Sequence, residues 1–168
     1  MWKKLLAITF LFYIFALLQN SFLTHFNLFG AIPNLVFILF FSLVFFDKKD
    51  NNYQVILYAV LAGIFLDVFS YTYLGPSIII LLIIGFLLKG IQMSLKSTED
   101  KHPFVYFLPL FLIFLLAYNF LLGLYLYLLD PNKIILAFGI TTIFLLIYNL
   151  FIASIFFYIH KKFNGKKI

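Results

Sequence analysis

The run Tyr53-Gln54-Val55-Ile56-Leu57-Tyr58-Ala59-Val60-Leu61-Ala62-Gly63-Ile64-Phe65-Leu66-Asp67-Val68-Phe69-Ser70 decides how the rest of the chain is read. It is nearly long enough to cross a bilayer, which takes about 20 apolar residues for about 30 Å of hydrocarbon. A single carboxylate, Asp67, lies inside it. Runs of the same kind flank it on both sides: Leu5–Phe22, Leu28–Phe46, Ser77–Leu95, Phe104–Leu129 and Ile134–His160. Only short polar breaks separate them. The whole chain of 168 residues is 65% hydrophobic and 11% charged, with a mean hydropathy of +1.11. An average soluble domain is about 25% charged and about half apolar, so this chain has too few charges to cover a water-facing surface. The expectation is an all-α integral membrane protein, a six-helix transmembrane bundle forming one domain over 1–168. Pro33 and Asn34 interrupt the start of the second span, although proline is tolerated in a first helical turn. Five spans with a re-entrant second segment is the competing arrangement.

The lysines orient the bundle. All twelve basic residues are lysine, and eleven of them fall on one side of a six-span arrangement, with only Lys133 opposite. By the positive-inside rule both termini are cytoplasmic. The basic tail, Lys161, Lys162, Lys166 and Lys167, then reads as an anchor drawn to anionic headgroups, with no nucleic acid as partner. Lys3-Lys4 followed by an apolar run mimics a secretory signal, but no A-x-A cleavage site follows, so the first run is expected to be a retained helix. Outside the spans there is no stretch long enough for a soluble domain. Tyr71-Thr72-Tyr73-Leu74-Gly75-Pro76 joins spans three and four, with tyrosines suited to the interfacial belt. Asp130-Pro131-Asn132 is a turn signal, and Asp130 or Asn132 is placed to cap the last span.

Polar residues inside the spans carry the remaining information. Ala59, Gly63 and Asp67 recur every four residues and share one helix face, a small-residue stripe of the kind that lets helices approach closely in lipid. Three roles are open to Asp67: a cap on the Tyr71–Pro76 turn, a structural hydrogen bond to another helix, or proton or ion coupling. In spans five and six, Phe114-Leu115-Leu116-Ala117-Tyr118-Asn119 is echoed by Phe144-Leu145-Leu146-Ile147-Tyr148-Asn149. Asn119 is followed four residues later by Gly123, and Asn149 by Ala153. Membrane asparagines serve as interhelical hydrogen-bond glue worth about 1 kcal/mol, with a polar path or a partner-helix contact as the other reading.

The chain has no cysteine, which removes disulfides, thiolate metal sites and thiol catalysis. His25, His102 and His160 sit at span edges on both sides of the membrane and cannot share a site. Metal-ligand spacing, a nucleophile elbow and a phosphate-binding glycine loop are all missing from the sequence. The reading is therefore non-enzymatic, with no cofactor and no metal.

The run Ile32-Pro33-Asn34-Leu35-Val36, then Gly63-x-x-x-Asp67, Leu74-Gly75 and Gly85-Phe86, resembles the rod shape-determining membrane protein MreD family. That family shows a Pro-(Asp/Asn/Ser)-apolar start to an early span and G-x-x-x-D near the end of the next. A Leu-Gly pair and then a glycine-aromatic pair follow. The match runs from Pro33 to Phe86, with Phe86 where the family has tyrosine, while spans one, five and six add only generic hydrophobicity. The resemblance implies a scaffold of the bacterial elongation machinery in the cytoplasmic membrane, where it organises lateral cell-wall synthesis. Its implied partners are an MreC-like bitopic protein, a RodA-type glycosyltransferase with its transpeptidase, and an MreB-type cytoskeleton. It also implies a fold similar to the S components of energy-coupling-factor vitamin transporters, and a substrate-binding S component is the second reading. Such components carry A-x-x-x-A on the first span, whereas Ala7 and Ala16 here are nine apart. A transporter of another kind is third. The contacts to partners or within the bundle are expected among Pro33, Ala59, Gly63, Asp67, Gly75, Gly85, Asn119, Gly123, Asn149 and Ala153.

The topology is directly testable, because a chain without cysteine accepts single cysteines cleanly. Asn132→Cys and Thr72→Cys should react with an impermeant thiol reagent added outside the cell, and Asn51→Cys and Gly165→Cys should not. External labelling at Gly165 with none at Asn132 would invert the orientation.

Overall fold

The computed structural model describes residues 2–27, 29–47, 52–70, 73–99, 103–129 and 140–164. Among them every regular element is helical. Helix α1, Trp2–Leu17, continues through a π-helical turn at Leu18–Phe22, and is followed by α2 (Leu35–Phe46), α3 (Asn52–Phe69), α4 (Pro76–Glu99), α5 (Pro103–Leu129) and α6 (Ile140–Asn164). Five of the six are long and apolar enough to cross a membrane. The expected turn at Asp130–Asn132 lies outside the described residues, as do Lys48, Lys49, Lys101, His102, Lys133, Lys166, Lys167, Tyr71 and Thr72.

The second element departs from the span expected over Leu28–Phe46. It is a helix of 12 residues, and at 1.5 Å per residue it covers only about 18 Å of the about 30 Å needed. Local chemistry delays its start. Phe29 and Gly30 hold positive φ values of 52° and 80°, and Pro33 restrains the residue before it to extended backbone. The chain from Phe29 to Phe46 nevertheless runs the length of α6. Thr141 Oγ1 donates to the Phe29 carbonyl at 3.2 Å and the Asn34 N–H donates to Asn149 Oδ1 at 2.8 Å. Phe46 stacks on His160 with ring centroids 3.7 Å apart. Residues 29–34 therefore pass the first part of α6 without helix, and α2 passes the rest as a half-helix that starts deep in the bundle.

Because α2 is enclosed, it is apolar on all sides rather than on one face. It touches each of the other five helices, and its side chains from Leu35 through Ser42 are all buried. Aromatic rings fill much of the space. Phe41 meets Phe107, Phe111 and Phe114 of α5, and Phe37 meets Phe111 and Tyr118. On the far side Phe12 of α1 stacks against Phe65 of α3. Tilted and edge-on geometries predominate around Phe41, the arrangement that ring quadrupoles favour.

Helices α3 and α4 form the tightest hairpin. A Cβ on Gly63 would sit 2.6 Å from both the backbone nitrogen and the Cα of Ile78, and one on Gly85 would meet Val55 Cγ1 at 2.6 Å and Phe40 Cζ at 3.3 Å. Ala59 and Ala62, on the same side of α3, are fully buried. The stripe Ala59/Gly63/Asp67 thus closes the bundle internally. Gly75, in the connection to α4, has open space around it but φ of +121°, a conformation that side chains resist.

The two glycines differ in what they meet, and that difference sets an expected order of damage. Gly63→Ala drives a methyl into backbone and should cost more than the about 1–3 kcal/mol typical of overpacking. Gly85→Ala meets side chains rather than backbone, which have more room to shift, and should fall within that range. Thermal unfolding of the detergent-solubilised variants measures the order, and a Gly85→Ala loss larger than that of Gly63→Ala would refute the close-packing account.

Candidate functional site

A half-helix that begins inside the bundle leaves peptide groups without intrahelical partners at both ends. Side chains from neighbouring helices satisfy several of them. At the N-terminal end Asn34 is the cap: its Oδ1 accepts the Phe37 N–H at 2.9 Å, the usual pairing between a cap and the third helical residue. The Asn34 N–H goes to Asn149 of α6, whose own Nδ2 donates to the Leu145 carbonyl at 2.8 Å and so fixes the amide. Gln19, in the π-helical turn, brings its Oε1 to 3.5 Å from the Val36 nitrogen. Pro33 is buried just ahead of the cap, where a residue with no N–H adds no donor to satisfy.

At the C-terminal end α4 supplies the donors. Gln92 Nε2 donates to the Phe45 carbonyl at 2.8 Å, and Lys89 Nζ donates to the carbonyl of Asp47. Lys89 is buried, and its ammonium sits where the helix dipole favours a cation.

The third cluster is built on Asp67, which is 0% exposed. Its two oxygens accept separate backbone donors, Oδ2 from the Gly75 N–H at 2.7 Å and Oδ1 from the Ser77 N–H at 3.1 Å. Gly75 is the residue whose carbonyl accepts the first bond of α4, from the Ile79 N–H. Asp67 therefore caps α4 from the end of α3, with its negative charge on a helix N-terminus. Ser77 extends the cluster to α5, its Oγ lying 3.0 Å from the hydroxyl of Tyr118.

These groups border a cavity of about 200 Å³ between the π-helical turn, the start of α2, α3 and α5, whose polar lining includes Gln19, Asn20, Asn34, Ser70, Tyr118 and Asn119. Carboxamides and hydroxyls make up the polar part beside apolar side chains such as Leu66, Phe69 and Leu122, with no charged side chain among the lining residues. Such a lining can bind neutral polar groups or water. Among the described residues no three His, Cys, Asp or Glu side chains come together to hold a metal. His25 and His160 lie at opposite ends of the bundle, His25 beyond the end of α1 and His160 beside Lys4 near its start.

The asparagine pair separates in role. Asn149 and Ala153 are fully buried, and Asn149 holds the α2 cap. Asn119 is exposed and Gly123 half-buried, and the Asn119 Nδ2 turns back to the Leu115 carbonyl of its own helix at 2.8 Å. Large apolar neighbours, Leu116, Phe120 and Leu124, are exposed on the same helix. Sequence reasoning did not single out Gln19, Gln92 or Ser77, counted Lys89 only toward topology, and read Asn34 as an interruption and as part of the Pro-Asn start of the second span. The available signals were the Asn34-to-Phe37 cap spacing and the i, i+3 spacing of Lys89 and Gln92, which puts both on one face of α4.

Compared with known proteins, the chain matches no family model, no curated protein and no solved structure.

Two substitution series test these roles. Asn149→Leu leaves the half-buried Asn34 N–H without its acceptor, an expected loss of about 1 kcal/mol, whereas Asn119→Leu should change stability little. At Asp67, asparagine keeps one acceptor oxygen but turns an amide NH₂ toward a backbone N–H. Asp67→Asn should therefore fall between wild type and Asp67→Leu in thermal stability. Equal stability of Asn149→Leu and Asn119→Leu would contradict the capping role of Asn149.

Proposed function

We propose that this chain is a non-enzymatic scaffold of the bacterial elongation machinery, acting in the cytoplasmic membrane through helix contacts with other membrane proteins. The observation that carries this reading is the fate of the small-residue stripes. Ala59/Gly63 and Asn149/Ala153 are used up inside the bundle, while on α5 Asn119 is exposed and Gly123 half-buried. Helix association in lipid relies on small residues and polar glue, so α5 is the partner-facing helix. The resemblance between Pro33 and Phe86 names the partners: an MreC-like bitopic protein, a RodA-type glycosyltransferase with its transpeptidase, and an MreB-type cytoskeleton.

In this reading the chain crosses the bilayer six times. The second crossing consists of the extended segment before Asn34 together with the half-helix α2, a break permitted because the backbone is enclosed in protein. Both termini are cytoplasmic. Lys4, Asp47, Gln54 and His160 border one cavity, so the start of α1 and the end of α6 share an end of the bundle. Lys3, Lys89, Lys161 and Lys162 belong to that same lysine-rich end, the side favoured as cytoplasmic.

The S-component reading, with an S-component-like fold, is favoured by one observation, the carboxamide-lined cavity. Its volume of about 200 Å³ falls below the about 300–1,000 Å³ typical of small-molecule sites. The nine-residue spacing of Ala7 and Ala16 also lacks the expected coupling motif. The scaffold reading is therefore preferred.

Gly123→Phe should release an MreC-like partner during co-purification while leaving abundance and thermal stability of the inserted protein unchanged, with loss of rod shape in cells. Purified chain that retained a vitamin and co-purified with an ATPase module would overturn the scaffold reading in favour of transport.

A further inference from the structure

The cavity of about 200 Å³ beside the α2 cap runs from the surface into the bundle. Asn20, Ser70 and Asn119 line it and are exposed, whereas Val36, Leu66 and Tyr118 line it and are buried. Its mouth therefore lies where α1 gives way to the π-helical turn and α3 ends, away from Lys4 and His160. Its floor includes Val36, in the first turn of α2, and Tyr118 of α5.

Two amides at the mouth are held in one orientation. Asn20 Nδ2 donates to the Ala16 carbonyl at 2.9 Å, and Asn119 Nδ2 donates to the Leu115 carbonyl at 2.8 Å. A carbonyl oxygen only accepts, so each amide must turn its nitrogen to its own helix and its oxygen away from that carbonyl. Among the described residues neither Oδ1 accepts a hydrogen bond. Both residues belong to helices long and apolar enough to span a membrane, and acyl chains carry no donor to offer them. Deeper in, Gln19 Oε1 lies 3.5 Å from the Val36 nitrogen. That is long against the usual range of about 2.7–3.2 Å, so the Val36 N–H has use for a nearer acceptor.

The lining selects the occupant. With no charged side chain in it, an ion would find no opposite charge to offset its dehydration. An acyl chain would leave the amide oxygens unmet. Water donates to those oxygens and also accepts from the α2 backbone, and the volume holds about six molecules at about 30 Å³ each. We propose that this cavity is an aqueous crevice, open at the end away from Lys4 and His160, whose waters bond Asn20, Asn119 and the Val36 N–H. The half-helix α2 then starts at the foot of a water-filled notch, capped by side chains and water together. The inference stands apart from the scaffold reading, because it needs no partner and is read on the chain alone.

X-ray hydroxyl-radical footprinting of the chain in nanodiscs tests it, since radicals formed from waters inside a protein mark the side chains beside them. Tyr118, 3% exposed, should be oxidised, whereas Phe107 and Phe111 of the same helix, buried outside this cavity, should not. The double substitution Asn20→Leu/Asn119→Leu should lower Tyr118 oxidation about tenfold, as two hydrogen bonds to the water are lost. A pair of single cysteines gives a second readout that survives misfolding of that variant. Asn119→Cys should react with an impermeant methanethiosulfonate supplied to both faces of opened membranes. Phe120→Cys, at a position exposed outside the cavity, should not, because the reactive thiolate needs water at the sulfur. Tyr118 oxidation as low as that of Phe107, unchanged oxidation in the double variant, or equal reactivity of the two cysteines would each overturn the crevice. A small organic solute retained by the wild-type chain and lost from the double variant in native mass spectrometry would overturn it too.

Discussion

Every other part of the bundle is arranged around the unsatisfied peptide groups of one short buried helix. A helix that ends in water loses little by leaving its terminal N–H and C=O groups to solvent. One that ends inside protein loses several kcal/mol for each such group left without a partner. Helix α2 meets this demand with side chains from three other helical segments. Gln19 comes from the turn after α1, Asn149 from α6, and Lys89 and Gln92 from α4. Because each bond is directional, the set fixes the height of α2 as well as its neighbours. The phenylalanines then fill the space around a helix whose position the polar groups have already set.

The α3–α4 hairpin solves the same problem by different means. Its helices come so close at Gly63 and Ile78 that no side chain fits between them, and dispersion contacts multiply along the seam. Asp67 then closes the top, with one carboxylate satisfying two backbone donors of the following turn. Both oxygens being engaged, the buried acid is committed to structure.

Three features lie outside this framework. The cavity beside the α2 cap carries amides and hydroxyls, the gap between α1 and α6 is bordered by Lys4, Asp47 and His160, and α5 presents small and polar residues among large apolar ones. In a bilayer, contact between helices is made by packing and by a few hydrogen bonds.

Hydropathy alone determined the class of this protein, because a chain with 11% charged residues has nowhere to fold except in lipid. Long apolar runs located five membrane-length helices, and four-residue spacing placed Ala59, Gly63 and Asp67 on one face. Only the tertiary structure decided the form of the second segment. Hydropathy registers how apolar a residue is and is blind to whether its surroundings are lipid or other side chains, so Leu28–Phe46 read as a full span. In the folded chain Leu35–Phe46 is enclosed by five helices. The same blindness kept Asn119 and Asn149 alike in sequence. One lies where a neighbouring backbone N–H needs an acceptor, the other does not, and that difference exists only when two distant parts of the chain are brought within hydrogen-bonding distance.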